Sequence, residues 1–261
     1  MISGAATAQE HFDVLLYEDA GGNLAAGGSD VDTAEAFPNQ NVFEAELLGD
    51  TLLPTPTFVG DEPGFFSYSD TAVGGPPVGF PAGADNLPGS ADVRLNFRVE
   101  PTLGLSFARW NDGLGMFEAP GAGESIMLDT LLDPGGSIDG TSEVLNLLLG
   151  PTSATGALDD HPDYELSTAA GTGVFLGYGD ASVDGFGAPT NPFWIVFGTI
   201  DECEETETCN AMQEAFNVSI EEQIEAAILY TETVLVPEPS TALLVGLGML
   251  AMAGRRRAQR A

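Results

Sequence analysis

The chain has no lysine; its basic complement is seven arginines, set against 40 aspartates and glutamates, for a formal charge of −33 at pH 7 over 261 residues. So acidic a surface repels phosphate backbones, which excludes DNA and RNA as partners. Histidine occurs only as His11 and His161, and cysteine only as Cys203 and Cys209. Zinc at the two cysteines would need two further ligands, and no histidine lies near them in sequence. Gly-x-Ser-x-Gly, His-Glu-x-x-His, the phosphate-binding loop and the dinucleotide fingerprint are all absent, so no residue is assigned a catalytic role and a non-enzymatic protein is expected. There is no repeat of fixed period.

A packed domain is nevertheless expected. Glycine (33) and proline (17) stay below the share typical of low-complexity chains, and 43% of residues are hydrophobic. The pattern is strand-like. Val93, Leu95, Phe97 and Val99 alternate with Arg94 and Arg98, and Leu103, Leu105 and Phe107 alternate again after Pro101, which predicts a hairpin. Further strands are expected at residues 12–17, 42–48, 65–68, 125–128, 144–149, 174–178 and 193–200, each bounded by turn residues. Short strands with turn-rich spacers predict a mainly β protein, a β-sandwich or jelly roll over residues 9–200. Residues 74–81, rich in glycine and proline, read as a surface loop.

Residues 201–235 are expected to hold a cysteine loop and an amphipathic helix. Ser219-Ile220-Glu221-Glu222 has the capping-box form, with Ile220, Ile224, Ala227 and Ile228 on one stripe, so a helix should run to about Thr233. Residues 211–216 would form an earlier turn or short helix. Cys203 and Cys209 suit a small-loop disulfide in an oxidising compartment, with free thiols the alternative.

Other candidates have bland readings beside chemical ones. Asp159-Asp160-His161-Pro162-Asp163 is a polar turn, a metal fragment or an acid–base site. Asp30-Val31-Asp32 and Asp180 to Asp184 carry carboxylates at calcium-loop spacing but lack the twelve-residue pattern, so calcium is the only cofactor suggested. Arg94 and Arg98 face an anionic sugar or, more simply, neighbouring acids. Trp110 and Trp194 are a carbohydrate platform or core.

The last 26 residues differ from the rest. Pro237-Glu238-Pro239 is held extended by its prolines. Residues 240–254 carry no charge and, as a helix at about 1.5 Å per residue, would span roughly 22 Å, a marginal transmembrane segment. Arg255, Arg256 and Arg257 follow, a basic anchor on the cytoplasmic side. Motif, apolar segment and arginines in this order resemble the PEP-CTERM sorting domain of exported bacterial proteins, here residues 236–261. The resemblance implies that Pro237, Glu238 and Pro239 are read by an exosortase, a membrane-embedded cysteine transpeptidase. It further implies transient residence in the inner membrane through the tail, followed by release to the cell surface or the medium in bacteria that make exopolysaccharide. Ala6-Thr7-Ala8 has the small-x-small form of a signal cleavage site, so residues 1–8 are expected to be the remnant of a secretory signal. The body is similar to that of other β-rich proteins with this tail, in residues 11–16, 61–65 and 191–197. The function expected is an exported surface or extracellular-matrix protein, with an extracellular polysaccharide as candidate partner. A secreted carbohydrate-binding or hydrolytic β-sandwich is the alternative.

Overall fold

The computed structural model describes residues 12–30, 33–69, 76–203 and 209–236. Two sheets and one long helix organise them. The smaller sheet contains β1 (Phe12–Glu18), β2 (Leu24–Asp30), β3 (Glu35–Phe37), β6 (Phe65–Ser67) and β13 (Leu158–Asp160), in the order β13-β6-β1-β2-β3. The larger has eleven strands. Its main path joins β11 (Gly136–Ile138), β10 (Ile126–Asp129), β14 (Asp163–Leu166), β5 (Phe58–Gly60), β4 (Val42–Gly49), β16 (Phe193–Asp201), β15 (Val174–Val183), β7 (Asp92–Phe97) and β12 (Val144–Pro151). Off this path, β8 (Phe107–Asn111) pairs with β15 and with β9 (Met116–Glu118). Most pairs are antiparallel; β4 with β16 and β1 with β6 are parallel.

Layering follows from the period-2 alternation of side chains. Val14 and Leu16 of β1 and Phe65 of β6 meet Phe43, Leu95, Phe97, Phe193, Ile195 and Phe197 of the larger sheet in one continuous core. Every residue of β16 is buried, because both of its faces are covered. Trp194, Val196 and Ile200 point away from that core, toward Ile220, Ile224, Ala227 and Leu235 of the C-terminal helical segment. The order is therefore small sheet, large sheet, helix. Each of these isoleucines and leucines, fully buried, contributes about 1.5–3 kcal/mol. Gly198 makes the helix contact close: a Cβ there would lie 2.2 Å from Ile224 Cδ1.

The helix α1 (Ala211–Tyr230) starts earlier than expected and is unbroken. Asn210 is its cap. The Asn210 side chain accepts from the backbone N–H of Met212 and Gln213, while Gln213 Oε1 accepts from the Asn210 N–H. This capping box satisfies the orphan donors at residue 210, so Ser219 lies inside the helix rather than opening it. The chain continues through a π-helical turn, Thr231–Leu235.

The predicted hairpin at residues 93–107 does not form. β7 and β8 both pair with β15, through Phe97↔Gly179 and then Phe107↔Gly177, so the chain leaves one ladder position and returns to it. The excursion is held by Glu100, whose buried carboxylate accepts from the N–H of Thr102 and Leu103. Alternation at Leu103 and Leu105 therefore marks a loop rather than a strand. The remaining predicted strands are present. Missed were β2, β3, β5, β9, β11, β13 and β14. Of these, β2 (Leu-Ala-Ala-Gly-Gly-Ser-Asp) carries no β-branched or aromatic residue, and the other six are only three or four residues long. Residues 76–81 form the expected loop, and its Phe80 covers Tyr17 and Tyr68 on the outer face of the small sheet.

Among the described residues no helix is long and apolar enough to cross a membrane. The expected signal remnant at residues 1–8, the sorting motif Pro237-Glu238-Pro239, the transmembrane segment at 240–254 and the arginines 255–257 lie outside the described residues.

Candidate functional site

Two antiparallel pairs that look separate are one bent ribbon. β5 pairs with β14 in the large sheet (Gly60↔Tyr164), and β6 pairs with β13 in the small one (Phe65↔Asp160). Both chains cross from sheet to sheet side by side, through residues 61–64 on one and 161–162 on the other. The offset between the two registers is one residue, as at a corner bulge. β1 runs alongside, with the Val14 N–H donating to Gly64 O at 2.9 Å.

Asp13, Glu62, Asp159 and His161 collect at this corner. Asp13, only 6% exposed, accepts from the Gly64 N–H at 2.9 Å, and Glu62 accepts from the same N–H at 3.0 Å. His161 Nδ1 lies 3.1 Å from the Asp61 carbonyl oxygen and 3.6 Å from Glu62 Oε1, while Nε2 lies 3.5 Å from Asp159 Oδ1. One ligand atom each from Asp13, Asp159 and His161 fall within 4.8 Å of one another. Gly64 is needed here: a Cβ on it would sit 2.4 Å from His161 Cε1, so only glycine lets the imidazole lie against the backbone. Behind the corner the buried Tyr164 hydroxyl donates to Pro63 O at 3.2 Å.

The electrostatics follow from three carboxyls around one imidazole. Burial first, and then the Glu62 charge, push Asp13 up to about 7. Burial alone would lower His161, but Glu62, Asp13, the Asp61 carbonyl and Asp159 outweigh it and raise the imidazole above its usual value. Burial lifts the Tyr164 hydroxyl well above the ordinary tyrosine range. Such a cluster can hold a proton or a cation. Residues 159–163 thus lie at a polar corner whose partners, Asp13 and Glu62, come from distant sequence. The only signal for them was that residues 11–16 and 61–65 stood out in the resemblance of the body.

The other candidates resolve as structure. Arg94 pairs with Asp92 and Asp184, Arg98 with Asp180, and Arg109 with Glu124, so all three arginines of the body face acids. Asp180 also accepts from Asn96 Nδ2, so the residues 180–184 put their carboxylates on cations of the chain itself. Asp30 Oδ1 accepts from the Thr33 N–H, while residues 31–32 lie outside the described residues. Trp110 and Trp194 are buried under the helix against Tyr230 and Tyr178, which is core packing and not a platform. Cys203 and Cys209 form a disulfide, with Cα atoms 4.9 Å apart. It adjoins Asp201, a fully buried carboxylate that accepts from Thr51 Oγ1, the Thr51 and Cys203 N–H groups and Gln213 Nε2. Burial alone would raise Asp201; these donors outweigh it and hold the carboxyl below its usual range.

At the other end of the helix Leu235 is buried against the large sheet, and the Val236 N–H closes onto Thr231 O. Pro237 is the next residue, so no spacer separates the folded body from the sorting segment. No curated protein and no solved structure matches the chain. The family pattern described as the PEP-CTERM protein-sorting motif matches residues 235–257, beginning on the buried Leu235. The chain therefore carries the PEP-CTERM protein-sorting motif at its C-terminal end, the mark of an exported protein handled by an exosortase on its way to the cell surface.

Proposed function

We propose that this is a non-enzymatic protein of the bacterial surface or extracellular matrix, which presents an acidic β-sandwich to extracellular polymer after an exosortase has processed its tail. The observation that carries the reading is the sorting motif at residues 235–257 joined directly to a folded, strongly acidic, disulfide-bonded body. Export accounts for the disulfide, since such bonds persist in oxidising compartments. The acidity keeps a released domain soluble and free of nucleic acid. Polysaccharide remains the candidate polymer, and the tail the means of passing transiently through the inner membrane.

A carbohydrate-binding or hydrolytic sandwich is the second reading. It has one feature in its favour, a groove of about 480 Å³ lined by Asp61, Asp129, Asp163 and Glu165 beside Val59 and Met127. Asp129 and Asp163 sit opposite each other on β10 and β14, and burial together with the Asp163 charge and hydrogen bond raises Asp129. Carboxyls in direct contact leave less room than the roughly 5–9 Å that glycosidase pairs use.

The test separates the motif from the apolar segment. Replacing Pro237 and Pro239 by alanine keeps the apolar length but frees the extended segment to become helical, so uncleaved protein should accumulate in the membrane fraction. Neutralising Arg255, Arg256 and Arg257 removes the charge that holds the tail's end inside and should instead misplace the chain. C-terminal mass determination in strains with and without an exosortase reads both. Identical processing of the proline variant and the wild type would reject the assignment.

A further inference from the structure

We infer that the Asp13–Asp159–His161 corner is a binding site for one divalent d-block cation, zinc by preference, which clips the small sheet to the strand ribbon that turns into the large one. The inference stands on the placement of the groups and not on the exported character of the chain. Asp13 is the key. It is 6% exposed, and its one N–H donor among the described residues is Gly64, shared with Glu62. What else faces this buried carboxyl is the Glu62 carboxyl, Asp159 and the imidazole. A buried carboxylate with so few donors and two like charges beside it is costly unless a proton, the imidazolium or a bound cation balances it, and the metal takes the proton's place.

The imidazole is set for ligation. The Asp61 carbonyl, 3.1 Å from Nδ1, accepts the proton there, so Nε2, which faces Asp159, is the nitrogen that exchanges its proton for a metal. A carbonyl on the far nitrogen is the usual way a metal-binding histidine is oriented. Zinc bound tetrahedrally at about 2.0–2.1 Å places its ligands about 3.4 Å apart. His161 Nε2 and Asp159 Oδ1 are already 3.5 Å apart, and one ligand atom from each of the three residues lies within 4.8 Å of the others, so closing the set takes side-chain shifts of up to about 1.4 Å. The donor set distinguishes the ion: an imidazole nitrogen with two carboxylates suits zinc, whereas calcium prefers six to eight oxygens. Glu62 stands outside the set of three and hydrogen-bonds Asp13, so the fourth position is left to water. Because Asp13 belongs to β1, and Asp159 and His161 to the β13–β14 crossing, the ion joins strands far apart in sequence. That role is structural and agrees with a body lacking a catalytic signature.

The experiment uses the full chain, stripped with a chelator and titrated with ZnCl2, CaCl2 or MgCl2 by calorimetry at 0.15 M salt, which screens the diffuse acidic surface. One zinc per chain should bind, at least tenfold more tightly than calcium, and raise the melting temperature. His161→Ala and Asp159→Asn should each weaken zinc at least tenfold. The Asp159 side chain is 69% exposed, so its amide variant keeps the fold if Asp13→Asn does not. Asp129→Asn, in the separate acidic groove, should leave the affinity unchanged. Cobalt(II) in place of zinc should show visible d–d bands that vanish in His161→Ala. Equal affinity for zinc and calcium, or zinc binding indifferent to both His161→Ala and Asp159→Asn, would place the ions on the general acidic surface and overturn the site.

Discussion

The helix that leads into the sorting motif is seated on β16 by one glycine, and the seat can be measured with a double-mutant cycle at Gly198 and Ile224. A Cβ at Gly198 would lie 2.2 Å from Ile224 Cδ1, 2.7 Å from its Cγ1 and 3.5 Å from Ile220 Cγ2. All three atoms are side chain, so Gly198→Ala must either turn Ile224 out of its rotamer or push the helix away. Overpacking of this kind costs about 1–3 kcal/mol. Ile224 is 1% exposed, and Ile224→Ala leaves a cavity at a cost of about 2–5 kcal/mol. In the double variant the new methyl enters the space that the isoleucine vacated. The two losses should then fall short of their sum by at least about 1 kcal/mol, beyond the roughly 0.3–0.5 kcal/mol by which independent sites deviate from additivity. Urea unfolding of the four proteins, followed by circular dichroism, gives the coupling; melting temperatures should move by about 2–4 °C per kcal/mol for a body of this size. Additivity within about 0.5 kcal/mol would show that the helix does not rest on Gly198 in solution and would refute the packing argument.

Asp201 carries a second expectation. Asp201→Ala leaves Gln213 Nε2 and the Thr51 and Cys203 N–H groups without their acceptor, at about 1–3 kcal/mol for each group that water cannot reach, and denaturant unfolding should detect the loss. Since the folded carboxyl titrates below its unfolded value, its contribution is complete above about pH 4 and disappears as the pH falls through the lower folded value. A stability–pH profile for Asp201→Asn should lack that acid limb; a profile parallel to the wild type would count against the hub. The disulfide closes a loop with a sequence separation of six, so replacing both cysteines by serine should cost about 2 kcal/mol on the chain-entropy model. Reduction of the wild type should reproduce the same shift, and no change on reduction would contradict it.

Alternation was legible where a strand has one wet face or a long apolar run. β1, β4, β7, β15 and β16 were all visible in this way, because hydrophobic spacing is a local property that needs no partner. The tail is the extreme case: its order of prolines, apolar residues and arginines is one-dimensional information, and the sequence alone identified it. The same locality explains the errors. Leu103 and Leu105 alternate like a strand, but β15 already receives β7 and β8 along one edge, so the segment between them loops out. Asn210 and Gln213 form the capping box that Ser219 and Glu222 imitate, and only the docking of Gln213 and Asn217 on Asp201 fixes which of them starts the helix. The corner was the least legible of all. Asp13, Glu62 and Asp159 are spaced by 49 and 97 residues, and no local pattern relates them. They meet because one ribbon bends from sheet to sheet while β1 lies parallel beside it, a pairing of remote segments that only tertiary structure decides.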